Sequence, residues 1–561
     1  MATELSVTGK NEFEDLVHAL EWSNEFAIFF AVVNPPLIRK QTAGELKRSL
    51  DEKEIKVHSL ELDSSHFDLL SIIPEKVPSY CLRGAETENR SVLFIFGAEE
   101  AIAADADTRR LFFDCLNWQR DKLRETIACP MVIWMPEFAL RILTLEAPDF
   151  WAWRSGVYYL EPEPVWILKD TEELFKRGPS EYDSLTHQEK IKRLQQFKAL
   201  LEEYEKRSFG EKSESELLQI RFDLLQEAGK AALSLANYEE AKQYSLQCLK
   251  MAERLKDKKL SGSIFSNLSL IYLIQGDYAS ANEYGAKYLK LAQELGNDKN
   301  VAHIFLFLGA IANVQKDYHK ADKFCKKSLE IREELGDKEL IASVLSYLGG
   351  MTKDKNKIAK AKTLFEESLK INEEIGEKGR IADNLIELSD LAQSQGNIDE
   401  AIRLIGEAQA ISNEINDRSR IAKVLEKQGT LAEAQGDYQQ AQKYYEESLE
   451  IYELLGNKIG IATIYSFLWG IAKASGDYED SKRYLKEGLK IVKDMGAKSL
   501  IASYQASLGL VYLQTEDFNE AEKQFLDALE ISERLGDTKM IETVNQWLEQ
   551  ARKGKLDKNK L

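Results

Sequence analysis

The stretch between residues 221 and 540 repeats one sequence pattern every 40 residues, and this period limits the possible folds more than any single motif does. The turn Gly436-Asp437-Tyr438 returns forty residues later as Gly476-Asp477-Tyr478, and the window holds eight such units without an insertion. A period of this length is typical of solenoids, in which each structural unit packs on its two neighbours. The sequence therefore predicts a long repetitive array.

Each unit is predicted to form two helices joined by a turn. In the first half, apolar residues recur at helical spacing, as at Ile461, Ile464 and Leu468. The Gly-Asp pair then ends the helix, because glycine accepts a positive φ and aspartate can bond its own downstream backbone. A Leu-Gly-Asp or Leu-Gly-Asn sequence closes the unit, although Asn416 stands in place of the closing glycine in one of them. The window is thus predicted to be an all-α helix-turn-helix solenoid.

These residues carry a resemblance to a known family. A Leu-Gly pair in the first helix, as at Leu508-Gly509, followed by Gly-Asp-Tyr and Ala-x-x-Tyr/Phe, resembles the tetratricopeptide repeat, with a period longer than the usual 34 residues of that family. The resemblance implies a superhelical array whose first helices hold an extended peptide or protein partner.

Composition changes sharply along the chain and predicts a domain boundary near residue 180. All ten prolines lie at or before Pro179, and six of the eight tryptophans lie at or before Trp166. The predicted organisation has four parts: residues 1–160 as an α/β domain, 161–220 as a linker and a bracing helix, 221–540 as eight repeats, and 541–561 as a capping helix with a basic tail.

The first part alternates short apolar runs with helical patterns. The runs that predict strands are residues 26–33, 55–62, 91–96, 131–135 and 157–160, and the helical patterns lie at 11–22, 37–50, 64–73 and 107–128. Strands that alternate with helices predict a mainly parallel sheet with helices on both faces.

Such a sheet raises the question of a nucleotide site. A phosphate-binding loop needs glycines and free backbone amides, but the turn at 34–40 has no glycine, and Pro35 and Pro36 remove amides. The alternative hypothesis is a divergent nucleotide-binding sensor or NTPase that uses polar side chains near the strand ends. Its candidate residues are Arg39, Lys40, Glu99 and Glu100.

Two later segments carry a second resemblance. The sequences CPMVIWMPE at 129–137 and APDFWAWRSGV at 147–157 resemble a segment that precedes repeat arrays in bacterial proteins related to the signal-transducing P-loop ATPases of the STAND class. The resemblance implies a degenerate ATPase-like core without its phosphate loop, in a protein of regulation, stress signalling or antiviral defence.

Composition argues against several other functions. A net charge of −19 disfavours nucleic acid and anionic membranes as partners. The five cysteines are scattered, which is typical of reduced thiols, and the start of the chain lacks the apolar segment of a signal peptide, so we expect a cytoplasmic location. The six histidines match no metal motif, and no nucleophile motif occurs. We therefore expect no cofactor, no metal and no enzymatic activity.

The remaining hypothesis is a non-enzymatic scaffold or adaptor that binds a protein or peptide through the groove of the array. The groove is mixed in character, apolar near its second unit and polar in the middle, which disfavours a clamp for a terminal carboxylate. The residues predicted to line it are Ser266, Leu270, Leu273, His303, Asn313, Lys353, Gln393, Thr430, Lys473 and Gln514.

Overall fold

A computed structural model describes residues 5–62, 68–83, 90–102, 106–176, 182, 185–206, 213–255, 257–354 and 357–558. The chain divides into two compact units, one formed by residues 1–182 with 188–231 and the other by residues 183–187 with 232–561. None of the helices among the described residues combines the length and the apolar character that a membrane crossing requires.

The first unit is built on a five-stranded parallel sheet. Its strands are β1 (Ile28–Val32), β2 (Lys56–Glu61), β3 (Ser91–Phe96), β4 (Met131–Met135) and β5 (Arg154–Tyr159). The strand order is β2-β3-β4-β1-β5, and each neighbouring pair is parallel. In the centre, Phe30 pairs with Ile133 on one side and Val157 on the other. The mainly parallel sheet predicted from the sequence is confirmed.

Helices cover this sheet on both faces. They are α1 (Val7–Trp22), α2 (Pro36–Asp51), α3 (Leu69–Lys76), α4 (Ala98–Ile102), α5 (Ala106–Thr126), α6 (Glu137–Glu146), α7 (Pro148–Trp151), α8 (Pro164–Lys176) and α9 (His187–Lys206). Alternate residues of β1 enter two separate cores: Phe30 packs with α5 and α6, whereas Phe29 packs with α1 and α2. The continuous apolar run of β1 is explained by this burial on both faces.

Two details differ from the sequence-based expectation. Strand β5 begins at Arg154, before the apolar run at 157–160, because pairing with the central strand β1 recruits residues that apolar content alone does not mark. The stretch after residue 160, predicted as a linker, contains helix α8, in which Ile167 is fully buried. In addition, residues 64–67 of the predicted helix 64–73 lie outside the described residues, and α3 begins at Leu69.

Paired helices form the rest of the chain. After α10 (Glu214–Ser234) come α11 (Tyr238–Leu255), α12 (Ser261–Ile274), α13 (Tyr278–Glu294), α14 (Asp298–Val314), α15 (Tyr318–Leu335), α16 (Lys338–Asp354), α17 (Ile358–Ile375), α18 (Lys378–Ser394), α19 (Ile398–Glu414), α20 (Arg418–Ala434), α21 (Tyr438–Leu455), α22 (Lys458–Ala474), α23 (Tyr478–Asp494), α24 (Lys498–Gln514), α25 (Phe518–Leu535) and α26 (Thr538–Lys558). The even-numbered helices from α12 onward are called first helices below, and the odd-numbered ones second helices. The predicted helix-turn-helix solenoid is confirmed.

The turns that recur every forty residues form because each residue type in them suits the local backbone conformation. Asp437 caps the second helix α21 by accepting a 3.0 Å hydrogen bond from Gln440 N. Gly456 ends that helix with φ +63°, a conformation that favours glycine. Asn416, which replaces the closing glycine, takes φ +51°, as asparagine tolerates.

The array returns on itself within the second unit. Lys316 Nζ forms an ion pair of 2.8 Å with Asp537 Oδ1, although five and a half repeats separate them. Nearby, a methyl group on Gly276 would lie only 2.6 Å from Leu535 Cδ2. The turns of the early repeats therefore touch those of the last repeats, and the repeats between them complete one turn of the superhelix.

Candidate functional site

The crevice at the carboxyl ends of the strands in the first unit is the site that the nucleotide hypothesis requires. In open parallel sheets, ligands bind at this edge. The structure brings all four candidate residues, Arg39, Lys40, Glu99 and Glu100, together around it. The space left between them is about 60 Å³, far below the roughly 300–1,000 Å³ of typical small-molecule sites.

The crevice is narrow because helix α9 fills it. Gln195 Nε2 donates a 3.1 Å hydrogen bond to the Glu99 carbonyl, and Lys192 lies 3.1 Å from Glu100 Oε1. Asn34, in the loop after β1, donates from Nδ2 to Glu203 Oε1 at 2.5 Å. Residues 188–206 of α9 thus occupy the place where a ligand of an open sheet would lie.

Arg39, Glu99 and Glu100 each form an ion pair within the crevice. Arg39 is buried, pairs with Glu99 and donates from Nε to the Val33 carbonyl at 2.9 Å. Desolvation raises the pKa of Glu100, although the charge of Lys192 opposes that shift. These contacts connect α9, α4 and the loop after β1.

The second candidate site is the inner face of the array. The first helix α18 contacts both α16 and α20, and α24 contacts α26, which places these first helices on the inner side of the curve. Arg420 of α20 pairs with both carboxylate oxygens of Asp383 on α18, at 3.2 and 2.9 Å. Two helical turns further along the same two helices, Lys427 Nζ lies 3.0 Å from Asp390 Oδ2. The middle of the inner face is therefore strongly polar.

A pocket of about 520 Å³ opens on this face between α16 and α18. Its lining comes from α14, α16, α17 and α18: Asn313, Ala342, Ser343, Ser346, Tyr347, Gly350, Met351, Phe365, Ser368, Asn372, Arg380, Asp383, Asn384 and Glu387. At its floor, Asn384 accepts a hydrogen bond from Ser346 Oγ at 3.1 Å and donates to Ser368 Oγ at 3.0 Å. Polar groups thus line both the wall and the buried floor.

The predicted groove residues are distributed along the array rather than gathered in one place. Asn313 lines the pocket, and its buried Oδ1 has no hydrogen-bond partner. Gln393 donates to the Thr430 carbonyl at 3.0 Å, which joins two repeats. Lys473 Nζ lies 5.4 Å from the centre of the Trp469 ring. Of the nine predicted residues whose side chains the structure describes, Asn313 alone contributes to the pocket.

The other predicted residues lie at separate points of their helices. His303 is exposed on α14. Leu270 is exposed on α12, while Leu273 packs against a core cluster. Ser266 is half-buried and Gln514 is exposed. The side chain of Lys353 lies outside the described residues. Their role as a partner-binding groove stays a prediction.

The sequence-based reasoning missed most of the pocket, but a signal for it exists. Asn384 occupies a position forty residues from Val344 and Val424, which are both fully buried. An asparagine in a position that other repeats fill with aliphatic side chains marks the repeat as unusual. Asn372 is harder to find, because its position also varies in the other second helices.

The comparison with family models decides the nature of the array. Residues 222–254, 300–374, 380–454 and 460–534 match models described as tetratricopeptide repeat. The array is a run of tetratricopeptide repeats.

Among the described residues, no group of three or more His, Cys, Asp or Glu side chains could hold a metal ion.

Several solved structures are similar to this chain at low identity. The apo quorum sensor NprR from B. thuringiensis is 17% identical with a TM-score of 0.40, over 58% of this chain and 86% of that one. A Rap protein complexed with Competence and Sporulation Factor is 14% identical with a TM-score of 0.37, over 60% and 98%. A STAND protein with a tetratricopeptide repeat sensor from Pyrococcus horikoshii is 13% identical with a TM-score of 0.38, over 97% and 86%. No curated protein matches this chain in sequence.

Proposed function

We infer that the protein is a non-enzymatic scaffold or adaptor that binds an extended peptide segment of a partner through the inner face of its tetratricopeptide repeats. The regulatory, signalling or defence setting and the cytoplasmic location expected from the sequence belong to this proposal. The first unit, with its crevice filled by α9, serves in it as a structural or docking module.

The pocket between α16 and α18 is the observation that carries the proposal. Its volume of about 520 Å³ lies in the range of ligand sites. Its floor contains Asn372 and Asn384, which are 2% and 1% exposed. Because burying polar groups costs free energy, a repeat that only had to pack on its neighbours would gain from an aliphatic residue there. Binding of a partner is a reason to keep them.

The closure of the array supports an extended segment over a folded partner. Since Lys316 and Asp537 meet across one superhelical turn, the inner face of the repeats between them lies within a closed turn of the array. An extended chain is the narrowest form of polypeptide and exposes its backbone groups for hydrogen bonding.

A selection experiment tests the proposal. A random library of displayed 12-residue peptides is panned on the full chain, and enriched peptides are measured by fluorescence anisotropy. We expect binding to weaken strongly in Gly350→Trp, which adds a bulky side chain to the lining of the pocket, and to persist in Glu479→Ala, an exposed side chain of the second helix α23. Failure to enrich any peptide, or equal binding to both variants, would contradict the inner-face site.

A further inference from the structure

The floor of the pocket has its own hydrogen-bonding pattern, which fixes what a ligand must supply. Ser368 Oγ donates to the Ala342 carbonyl at 2.8 Å, so this oxygen can only accept further hydrogen bonds. Both Asn372 and Asn384 direct an amide N–H to it, at 3.4 and 3.0 Å. The amide of Asn372 therefore cannot be turned around, because its oxygen would then face an oxygen without a free hydrogen.

This arrangement leaves an acceptor without a donor. Asn372 Oδ1 is buried in the lining of the pocket and has no hydrogen-bond partner. A buried acceptor of this kind is destabilising until a donor reaches it. The corresponding residue of the next second helix, Ser412, avoids the problem by donating to the Ala408 carbonyl at 2.7 Å.

The wall of the pocket also offers more acceptors than donors. Asp383 and Glu387 bring two carboxylates, although both oxygens of Asp383 also accept from Arg420 on α20. Arg380, the cation among the described lining residues, already donates to Glu339 Oε1 at 2.9 Å and to Ser343. Ser346 donates its hydroxyl hydrogen to Asn384 Oδ1, and its oxygen can still accept hydrogen bonds.

We propose that this pocket binds a cationic side chain, arginine or lysine, of the bound peptide. The inference rests on the proposed peptide-binding function and adds the chemistry of one residue of the partner. A guanidinium or ammonium group carries several N–H donors and no acceptor, which complements Asn372 Oδ1, Ser346 and the carboxylates. The net charge of −19 on the whole chain also favours a basic partner.

The test uses labelled, capped hexapeptide pools in which the third residue is fixed as Arg, Lys, Gln or Glu and the others are randomised over uncharged residues. Binding to the full chain is measured by fluorescence anisotropy. We expect the Arg or Lys pool to bind about tenfold more tightly than the Gln pool, as charge-assisted hydrogen bonds allow.

Variants separate the pocket from general attraction to an acidic protein. Asn384→Ile introduces the kind of residue found in other repeats and changes no charge, so general attraction stays the same. We expect it to reduce the preference for the Arg or Lys pool to about that for Gln, while its thermal unfolding midpoint stays equal or rises. Asn372→Ser should act in the same direction, and Glu479→Gln, on an exposed face, should have no effect.

The outcomes distinguish the two levels of the proposal. If the pools bind without a preference for a cation, or if the preference survives in Asn384→Ile, the cationic-pocket inference is overturned and peptide binding stands. If no pool binds, the proposed function fails as well. Free arginine and spermidine are added as competitors. If either displaces the labelled peptide when present at the same concentration as the peptide, the proposal that the cation belongs to a peptide is overturned.

Discussion

Lys316 and Asp537 lie 221 residues apart in the sequence, yet Lys316 Nζ is 2.8 Å from Asp537 Oδ1. Lys316 stands where other repeats have the glycine of the Gly-Asp turn, and it takes φ +62° there. A side chain in this left-handed conformation is strained by about 1–2 kcal/mol. Ala236 and Glu516 replace the same glycine in other repeats, also with a positive φ, and at Lys316 the replacing side chain forms the contact that closes the array.

Replacing Lys316 by glycine tests how much this closing contact contributes. The pair is partly exposed, so its contribution is about 0–1 kcal/mol. Relief of the backbone strain is of similar size. We therefore expect the free energy of unfolding of Lys316→Gly, measured in a urea titration, to lie within about 1 kcal/mol of that of the unmodified chain. The control Gly436→Lys creates the strain without a partner and should destabilise by about 1 kcal/mol. A loss of several kcal/mol in Lys316→Gly would mean that the closure stabilises far more than an exposed ion pair does.

In two neighbouring repeats, the carbonyl at the same repeat position accepts a hydrogen bond from different donors, a serine in one and a tyrosine in the other. In one repeat, Ser448 Oγ donates to the Ala422 carbonyl at 2.8 Å. One repeat later the serine is Gly488, and the hydroxyl of Tyr504 donates to the Ala462 carbonyl instead. A methyl group on Gly488 would lie 2.2 Å from Tyr504 Cε1, so the glycine makes room for the ring.

This exchange predicts a non-additive pair of substitutions. Gly488→Ser should clash with Tyr504 and destabilise by about 1–3 kcal/mol, the usual cost of overpacking a core. Combining it with Tyr504→Ile removes the clash and introduces the serine and aliphatic side chain found in other repeats, so the double variant should be more stable than Gly488→Ser alone. Thermal unfolding of the single and double variants checks this, and simple additivity would contradict it.

Much of the array could be predicted from the sequence, because each repeat uses local signals. The helix boundaries follow the forty-residue period, and Asn416 takes the left-handed conformation that its place in the pattern requires. The pocket could not be predicted in the same way. It depends on Asn372 and Asn384, whose shared acceptor Ser368 Oγ is reached from both only when α17 packs against α18. The meeting of Lys316 with Asp537 depends on curvature summed over several repeats, which no single repeat encodes.

The sheet of the first unit was predictable from its apolar runs, but the state of its crevice was not. The absence of a glycine loop argued against phosphate binding, and the structure adds that α9 fills the space. We expect that magnesium and ATP leave the thermal unfolding midpoint of the full chain unchanged, because a ligand stabilises only the state to which it binds. A concentration-dependent rise would support the nucleotide-sensor alternative and would require α9 to move.

Glu426 gives a prediction about pH. It lies half-buried on α20, where desolvation raises its pKa above the ordinary 4.5, opposed by Lys427 and by a hydrogen bond from Tyr452. A carboxyl whose pKa is raised on folding favours the folded state below its unfolded pKa, and that contribution is lost as the pH rises through the folded pKa. At neutral pH the charged carboxylate therefore destabilises the folded state.

We expect Glu426→Gln, which keeps an acceptor for Tyr452, to raise the thermal midpoint at pH 7, with the gain shrinking as the pH falls toward about 4. Glu479→Gln, at an exposed site, is the control and should show no such trend. A gain in Glu426→Gln that is equal at both pH values would assign the effect to packing rather than to charge.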